Sequence, residues 1–432
     1  MSVKKREWTL KPNEEFRFEV EPKQTLTVKL TEGKAELFGT ELAVDYEYQF
    51  QGKKLGIFTW HGCKLETSGP AISEYIGSET MMNEHLNMHF ALENLRIQAK
   101  KENRNGPRVM IVGSSDTGKT TLAKTLINYG TRHQRTPILC DIDPKSGLIS
   151  LPGTISCMVI TRPIDVEEEL NANIYKTSPI AYYYGSNIFD KQEFYLLLVN
   201  NIKDSIEKKL DNDDKIRSDG IIVDTPCEFV EQQGIEILKE AIELLKIDCV
   251  IVIGNERISS ILTQAGKSVI KLQKSGGIAS RDKIWHRQIQ AKRIKEYFYG
   301  KDLTPFSQTV SFNDIIVRQI KKGMLAPSSA LPIGMETNPN SINFVKIETS
   351  EILLHSILVV SFVPLPGTDD EGNIKLYTPE EETELLKKSN VCGFVYISEV
   401  DEVKRKMTVL GPNPGRLPKT FFVMGELKWL DS

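Results

Sequence analysis

The sequence lacks several features that would define a secreted or membrane protein. It has no long apolar run, since residues 352–362 are interrupted by His355 and are too few to cross a bilayer. Residues 1–8 contain no apolar core of the kind that a signal peptide needs. The six cysteines form no CxxC pair, which favours free buried thiols in a reducing compartment over disulfides or zinc ligands. We therefore expect an intracellular protein that has no membrane partner.

The composition also lacks an excess of either charge. The chain has 55 Lys and Arg against 58 Asp and Glu, which gives a formal net charge of −3. Nothing global therefore indicates a nucleic-acid or membrane partner, and any basic surface must be local. Hydrophobic residues make up 40% of the 432 positions, as in an ordinary globular protein. This length predicts two to four domains.

Hydrophobic patterning divides the chain into an N-terminal and a central region. Residues 1–99 contain short alternating runs at 16–20 and 26–30, which predict a small β-sandwich or barrel followed by a helix over 82–99, and we favour the sandwich. Residues 100–300 instead contain continuous apolar runs, typical of buried parallel strands, at 109–112, 138–140, 221–223 and 249–253. Helical spacing at 121–129 and 235–245 separates these runs, so we predict a central doubly wound α/β domain.

The third region, residues 301–432, returns to short strands broken by Pro and Gly. Candidate strands lie at residues 343–347, 357–363, 391–397 and 407–410. One helix is predicted over residues 379–388, because Thr378 would cap it and Pro379 suits its first turn. We predict a C-terminal β-rich domain.

A phosphate-binding loop lies at the start of the central domain. Gly113, Gly118, Lys119 and Thr120 satisfy the pattern G-x-x-x-x-G-K-[ST], after a predicted strand and before a predicted helix. In this context the backbone N–H groups and the helix N-terminus attract phosphate oxygens. The sequence therefore predicts binding of a nucleoside triphosphate, most simply ATP.

Individual roles follow from the chemistry of the loop. Lys119 is expected to reach the β and γ phosphates, Thr120 to hold Mg²⁺ through its hydroxyl, and Thr121 to hydrogen-bond the α phosphate. Asp116 and Thr117 lie inside the loop and complete the predicted nucleotide-binding set. ATP and Mg²⁺ are the expected cofactors.

A carboxylate is needed beside the metal, and two strand ends offer one. Asp143 follows the apolar run at residues 138–140, and Asp224 follows the run at residues 221–223. Ligands bind at the carboxyl ends of strands in such sheets. We favour Asp143 as the metal ligand, while Asp224 remains a competitor and both can line the site. Asp224 followed by Thr and Pro also resembles a GTPase switch strand, but no Asn-Lys-x-Asp motif follows.

These motifs together resemble the eukaryotic polynucleotide kinase family. The family includes RNA 5′-hydroxyl kinases and the ATP-binding subunit of the pre-mRNA 3′-end cleavage machinery. The resemblance extends over nearly the whole chain. The sequence is most similar to the cleavage-factor branch of the family, which includes a fungal cleavage factor IA subunit. It rests on the phosphate loop with Asp143 and on residues 38–42, 58–63, 274–277, 293–300 and 411–418.

The resemblance implies roles for further residues. Glu15 and Lys54 match N-terminal residues that reach the base or ribose of the nucleotide. Asp143 matches the acid that activates an RNA 5′-hydroxyl, and Arg287 and Arg293 match lid arginines that clamp the transferring phosphate. A carboxylate can accept the hydroxyl proton, and a guanidinium can neutralise the phosphoryl oxygens. These three would be catalytic only in an active kinase.

Three segments depart from the active pattern. Residues 143–146 read Asp-Pro-Lys-Ser where active kinases have Asp-x-Gly-Gln, residues 188–192 lack the Thr-Pro-x-Gly-Asn clasp, and Phe229 only approximates a tryptophan that stacks on RNA. Because phosphoryl transfer depends on positioning, these losses predict a site that binds ATP but transfers phosphate poorly.

We therefore expect a nuclear ATP-binding subunit of the mRNA 3′-end cleavage and polyadenylation machinery, with ATP acting mainly structurally. Its implied partners are a scaffold subunit and the other subunits of cleavage factor IA. The alternative is an active ATP-dependent RNA 5′-hydroxyl kinase. Direct RNA contact stays open, because the basic and aromatic residues within 274–299 suit either RNA or a solvated helix face. His85 and His89 are read as a helical pair without metal, since no third ligand is apparent.

Overall fold

The structure is a computed structural model that describes residues 5–167, 178–185, 187–278, 281–300, 305–322, 342–348, 350–368 and 374–430. Within these ranges the chain forms an N-terminal β-sandwich, a central α/β unit and a C-terminal β-rich unit. The predicted fold class is therefore confirmed. No helix among the described residues is long and apolar enough to span a membrane.

Nine strands build the N-terminal sandwich. They form a four-stranded sheet in the order β1-β8-β3-β6 and a five-stranded sheet in the order β5-β4-β7-β2-β9. Alternation places Phe16 and Phe18 of one sheet against Leu26 and Val28 of the other, so one apolar core lies between the sheets. The strands are β1 Lys5–Leu10, β2 Glu14–Glu19, β3 Thr25–Gly33, β4 Glu36–Leu37, β5 Thr40–Glu41, β6 Glu47–Gln51, β7 Lys54–Thr59, β8 Cys63–Ser68 and β9 Ser73–Gly77.

Seven strands build the central sheet. Their order is β13-β12-β11-β14-β10-β15-β16, with the last five parallel and β12 and β13 antiparallel at one edge. The continuous apolar runs fit the parallel strands, which are buried on both faces. The strands are β10 Arg108–Gly113, β11 Ile138–Asp141, β12 Thr154–Val159, β13 Ile180–Tyr183, β14 Ile221–Asp224, β15 Cys249–Ile253 and β16 Val269–Leu272.

Helices cover both faces of the central sheet. Met88 and Leu92 of the first helix join Leu122 and Leu126 of the second in the core on one face. Phe194 and Leu198 of the third helix join the core on the other face. The helices are α1 Met82–Lys101, α2 Lys119–Arg132, α3 Gln192–Asn212, α4 Asp214–Asp219, α5 Gly234–Leu244, α6 Glu256–Gln264 and α7 Lys283–Tyr299.

The C-terminal unit is a mostly antiparallel seven-stranded sheet in the order β17-β24-β23-β20-β25-β18-β19. Helix α8, Pro379–Lys388, packs beside it and is capped by Thr378, as predicted. Glu381 completes a capping box by accepting from the Thr378 N–H. The strands are β17 Phe306–Ser311, β18 Ile316–Lys322, β19 Ile342–Ile347, β20 Ser356–Pro364, the short pair β21 Gly367–Thr368 and β22 Ile374–Lys375, β23 Val391–Asp401, β24 Lys406–Gly411 and β25 Thr420–Lys428.

The central and C-terminal units share one continuous core. The ring centroid of Phe298 in α7 lies 6.2 Å from that of Tyr396 and 6.0 Å from that of Trp429. The Tyr297 hydroxyl accepts a hydrogen bond from the Phe394 N–H at 3.1 Å. The end of α7 is therefore anchored in the C-terminal sheet, and this fixes the helix that crosses the site described below.

Buried polar contacts attach the N-terminal sandwich to α2. Glu36 is 3% exposed and accepts hydrogen bonds from the Tyr129 hydroxyl and, at 2.9 Å, from Arg132 Nη1. Asn128 Nδ2 donates to the Phe38 carbonyl at 2.7 Å. A charge this deeply buried is tolerated only because donors satisfy it, so these contacts fix how the two domains meet.

Candidate nucleotide site

The candidate site lies at the carboxyl ends of the central strands, where β10 turns into α2. Gly118 has a φ of +91° and Asp116 a φ of +52°, so the loop coils tightly before the helix starts at Lys119. A Cβ at Gly113 would lie 2.7 Å from Thr117 Oγ1, which only a glycine avoids. The loop therefore directs backbone N–H groups and a helix N-terminus toward one point, the arrangement that binds phosphate.

Lys119 is held at the loop. Its Nζ donates to the carbonyl oxygens of Gly113 and Ser114, each at 2.9 Å, and the residue is 8% exposed. Thr117 Oγ1 also donates to the Ser114 carbonyl at 2.9 Å. The ammonium group is thus positioned beside the loop, where incoming phosphate oxygens would replace carbonyls as its partners.

Three acidic side chains lie at the ends of neighbouring strands. Strands β11 and β14 are adjacent and parallel, with Asp141 beside Asp224. Thr120 Oγ1 donates to Asp224 Oδ2 at 2.5 Å. Asp143 lies two residues beyond Asp141 and accepts the Lys145 N–H at 2.9 Å. Asp224 is thus the acid in direct contact with Thr120, while Asp143 lines the neighbouring strand end.

Burial controls the protonation of these acids. Desolvation raises the pKa of the half-buried Asp143 to about 6, although the Lys145 N–H opposes this change. Desolvation also raises the pKa of Asp224, against the opposing effects of Lys119 and of the Thr120 hydrogen bond. A divalent cation would offset the cost of burying these charges.

The oxygens of Thr120, Asp224 and Asp143 suit Mg²⁺, which prefers hard oxygen ligands and keeps several waters. Among the described residues no group of three or more His, Cys, Asp or Glu side chains could hold a metal by itself. A cation here would therefore need oxygen atoms from bound phosphate as well as from the protein, as Mg²⁺ has in phosphate-binding loops.

The N-terminal sandwich forms a second wall of the site through Arg17. Arg17 Nε lies 3.2 Å from Glu15 Oε1, and its Nη2 donates to the Glu79 carbonyl at 2.5 Å. A Cβ at Gly277 would lie 2.7 Å from Arg17 Nε, so the arginine lies directly against the segment that follows β16. The predicted ligand Glu15 is therefore held by Arg17 on the face that meets the central domain.

Lys54 lies on the same face, paired with Glu19 across strands β7 and β2 with Nζ and Oε2 3.4 Å apart. Glu19 and Asp116 both act electrostatically on Arg281. The Arg281 N–H donates to Asp116 Oδ2 at 3.0 Å. A series of charged residues thus connects Lys54 with the phosphate loop. The contacts of Glu15 and Lys54 with a nucleotide remain predictions.

Helix α7 passes over the loop and touches each wall. His286 Nε2 lies 3.9 Å from Asp116 Oδ1, Gln290 Nε2 donates to the Lys145 carbonyl at 3.1 Å, and Lys292 Nζ donates to the Gln51 carbonyl at 3.1 Å. The predicted clamp residues lie on this helix, Arg287 exposed and Arg293 half-buried. The contacts that hold the helix come from other positions, so the clamp assignment stays a prediction.

The segments that depart from the active pattern are packed into the fold. Phe229 is 0% exposed, with its ring 6.3 Å from that of Tyr195, so it is not available to stack on RNA. Ile188 is also buried. Lys145 forms an ion pair with the buried Glu228. Arg17 and Lys145 were not among the residues predicted from the sequence. The position of Arg17 between the core residues Phe16 and Phe18 is a signal that could have identified it.

This fold and loop define a P-loop nucleotide-binding protein with an added N-terminal sandwich. Family models match all three units: "N-terminal beta-sandwich domain of polyadenylation factor" over residues 9–99, "mRNA cleavage and polyadenylation factor CLP1 P-loop" over 113–300, and "Pre-mRNA cleavage complex II protein Clp1" over 303–431. The chain belongs to the Clp1 family of mRNA cleavage and polyadenylation factors, and the resemblance found in the sequence is confirmed.

Relatives match over nearly their full length. The CLP1 homolog of Dictyostelium discoideum is 35% identical over 98% of this chain and 90% of its own. The polyribonucleotide 5′-hydroxyl-kinase Clp1 of Bos taurus is 33% identical over 96% of this chain and 95% of its own. A solved complex of wild-type Clp1p with Pcf11p has a TM-score of 0.84 and 25% identity, covering 100% of this chain and 99% of that one. A second Clp1p structure, with a TM-score of 0.83, 25% identity and 100% of both chains covered, is described as explaining ATP loss in a glycine-to-arginine point mutant.

Proposed function

We propose that this protein is the ATP-binding subunit of a nuclear mRNA 3′-end cleavage and polyadenylation complex, and that bound ATP acts mainly structurally. The observation that carries the proposal is the enclosure of the loop at Lys119. Arg17 of the N-terminal sandwich lies against Gly277 in the segment after β16, and the next residue of that segment, Ile278, lies against Gly118 of the loop. His286 of α7 lies beside Asp116 of the loop. A ligand bound where the sandwich and the central domain meet favours the arrangement in which the two are assembled.

The proposed ligand contacts rest on the loop pattern and on the family resemblance. The backbone of residues 113–118 would hold the phosphates with Lys119, and Thr121 would reach the α phosphate. Thr120 would hold Mg²⁺ together with Asp224 or Asp143. Its contact with Asp224 at 2.5 Å supports Asp224 as a ligand in addition to Asp143. Glu15 and Lys54 would contact the base or ribose from the sandwich.

We also propose protein partners. A scaffold subunit of the complex is the expected partner, by analogy with the Clp1p–Pcf11p complex, together with the other subunits of cleavage factor IA.

The proposed domains are residues 1–99, 100–300 and 301–432. Helix α1 contributes to the central core although most of it precedes residue 100.

The test is the state of the nucleotide in the purified full-length protein. We expect roughly one ATP per chain, identified by chromatography of the released nucleotide, and none in a Lys119→Ala variant. The same preparations are incubated with labelled ATP and 5′-hydroxyl RNA. Lys119-dependent transfer of the γ phosphate at about 1 s⁻¹ or faster, a kinase-like rate, would refute the structural role.

The rival function is an active RNA 5′-hydroxyl kinase, the activity named for the mammalian relatives. It would use Asp143 as the proton acceptor and Arg287 and Arg293 as phosphate clamps. The raised pKa of Asp143 suits a general base at neutral pH. Two observations argue against an active kinase. Phe229 is buried, and Lys145 forms an ion pair with Glu228; both residues lie in segments that depart from the active pattern.

A further inference from the structure

One ion pair spans the crevice between the two acidic strand ends. Lys145 follows β11, Glu228 lies in the turn Cys227–Val230 that follows β14, and their side chains meet. Because β11 and β14 are adjacent and parallel, the pair joins the two loops at the carboxyl edge of the sheet. Glu228 also acts electrostatically on Asp143, so the pair lies beside that carboxylate.

Lys145 is held by its backbone as well as by its side chain. Its N–H donates to Asp143 Oδ1 at 2.9 Å, and its carbonyl accepts from Gln290 Nε2 of α7 at 3.1 Å. One residue therefore connects the acid, the lid helix and the turn after β14. The backbone contacts hold Lys145 in place, so the side of the site beside Asp143 opens only if the Lys145 side chain moves away from Glu228.

The Glu228 side chain cannot easily move with the Lys145 side chain. Its side chain is 5% exposed and its Oε2 accepts a weak hydrogen bond from Cys227 Sγ at 3.4 Å. A Cβ at Gly234 would lie 1.9 Å from the Glu228 carbonyl oxygen, so the start of α5 presses on this turn. Separating the pair leaves a buried carboxylate without its cation, and this cost holds the pair together.

We propose that the Lys145–Glu228 ion pair is a closed gate on the acceptor side of the nucleotide site, which excludes the 5′-hydroxyl end of RNA from Asp143. The inference rests on the proposed function and explains how ATP can be held without being used. Transfer would form a bond from the hydroxyl oxygen to the γ phosphorus and break the bond to the β–γ bridging oxygen. The hydroxyl proton would pass to Asp143 and ADP would leave, so the hydroxyl must reach Asp143.

The gate is tested by the binding of a 5′-hydroxyl oligoribonucleotide with a fluorophore at its 3′ end to the full-length, ATP-loaded protein. A gate that is open about a tenth of the time lowers the apparent affinity about tenfold. We therefore expect Lys145→Ala and Glu228→Ala each to tighten binding about tenfold. The charge-exchanged double variant, Lys145→Glu with Glu228→Lys, restores the pair and should return to the wild-type affinity. ATP content reports whether each variant is folded.

Charge alone makes a different prediction. Removing a lysine should weaken RNA binding and removing a glutamate should strengthen it, because the RNA backbone is anionic. Opposite effects of the two single variants, or no effect of either while ATP is retained, would overturn the gate. Failure of the proposed function would be detected by a separate measurement, namely Lys119-dependent transfer of phosphate to RNA by the wild-type protein.

Discussion

The buried carboxylate of Glu36 offers a sharp test of how the sandwich is attached to the central domain. Its two oxygens accept from the Tyr129 hydroxyl, from Arg132, and from Trp60 Nε1 at 3.3 Å. A Glu36→Gln variant keeps the shape but has one accepting oxygen and two donor hydrogens, so at least one donor loses its partner. An unsatisfied buried donor costs about 1–3 kcal/mol.

Since the Arg132 side chain is 31% exposed and can turn to water, we expect a loss near the middle of that range, about 2 kcal/mol. Urea unfolding measures the loss, and amide exchange in β4 and in the last turn of α2 locates it. The matched control is Glu41→Gln, which removes the 57% exposed partner of Arg132 and should cost less than about 0.5 kcal/mol. Equal losses in both variants would refute the assignment of the attachment to Glu36.

Three further outcomes are expected. Gly118→Ala should lose bound ATP, because φ there is +91° and the new methyl would lie 3.1 Å from Ile278 Cδ1; nucleotide content measures this, and full occupancy would contradict it. Burial lowers the pKa of His89 from 6.5 to about 4, so the unfolded state binds the proton first and up to about 3 kcal/mol of stability is lost as pH falls through this window. The pKa of His85 is lowered similarly, so the two histidines together contribute about twice this loss, and His89→Gln should remove about half of the combined pH dependence of unfolding; an unchanged profile would exclude His89 as a source. Thr378→Ala should cost about 1 kcal/mol in thermal unfolding, and no loss would show that the capping box is not stabilising.

Patterning predicted the elements that local signals define. Strand β15 was found at its observed bounds, Cys249–Ile253, and helix α8 at Pro379–Lys388, because apolar continuity and capping residues are local signals. The antiparallel edge formed by β12 and β13 was not predicted. The pairing of β12 with β11 and of β13 with β12 depends on contacts between residues far apart in sequence, which no short window of sequence contains.

The site was predictable only where a motif defines it. The loop at residues 113–120 was identified from its glycines, and the structure adds the contact between Thr120 and Asp224 that spacing alone could not decide. Arg17 and Lys145 escaped notice for a related reason. Each acts on a segment more than 80 positions away, Gly277 for Arg17 and Glu228 for Lys145, and their roles exist only in the folded chain.

Helix α2 does two tasks at its opposite ends. Its first turn carries Lys119 and Thr120 at the phosphate loop, and its last turn carries Tyr129 and Arg132 against Glu36. Fourteen helical residues span roughly 21 Å. One continuous helix therefore joins the residues proposed to hold the nucleotide to the residues that hold the sandwich, so a shift of its first turn would also act on the contact with Glu36.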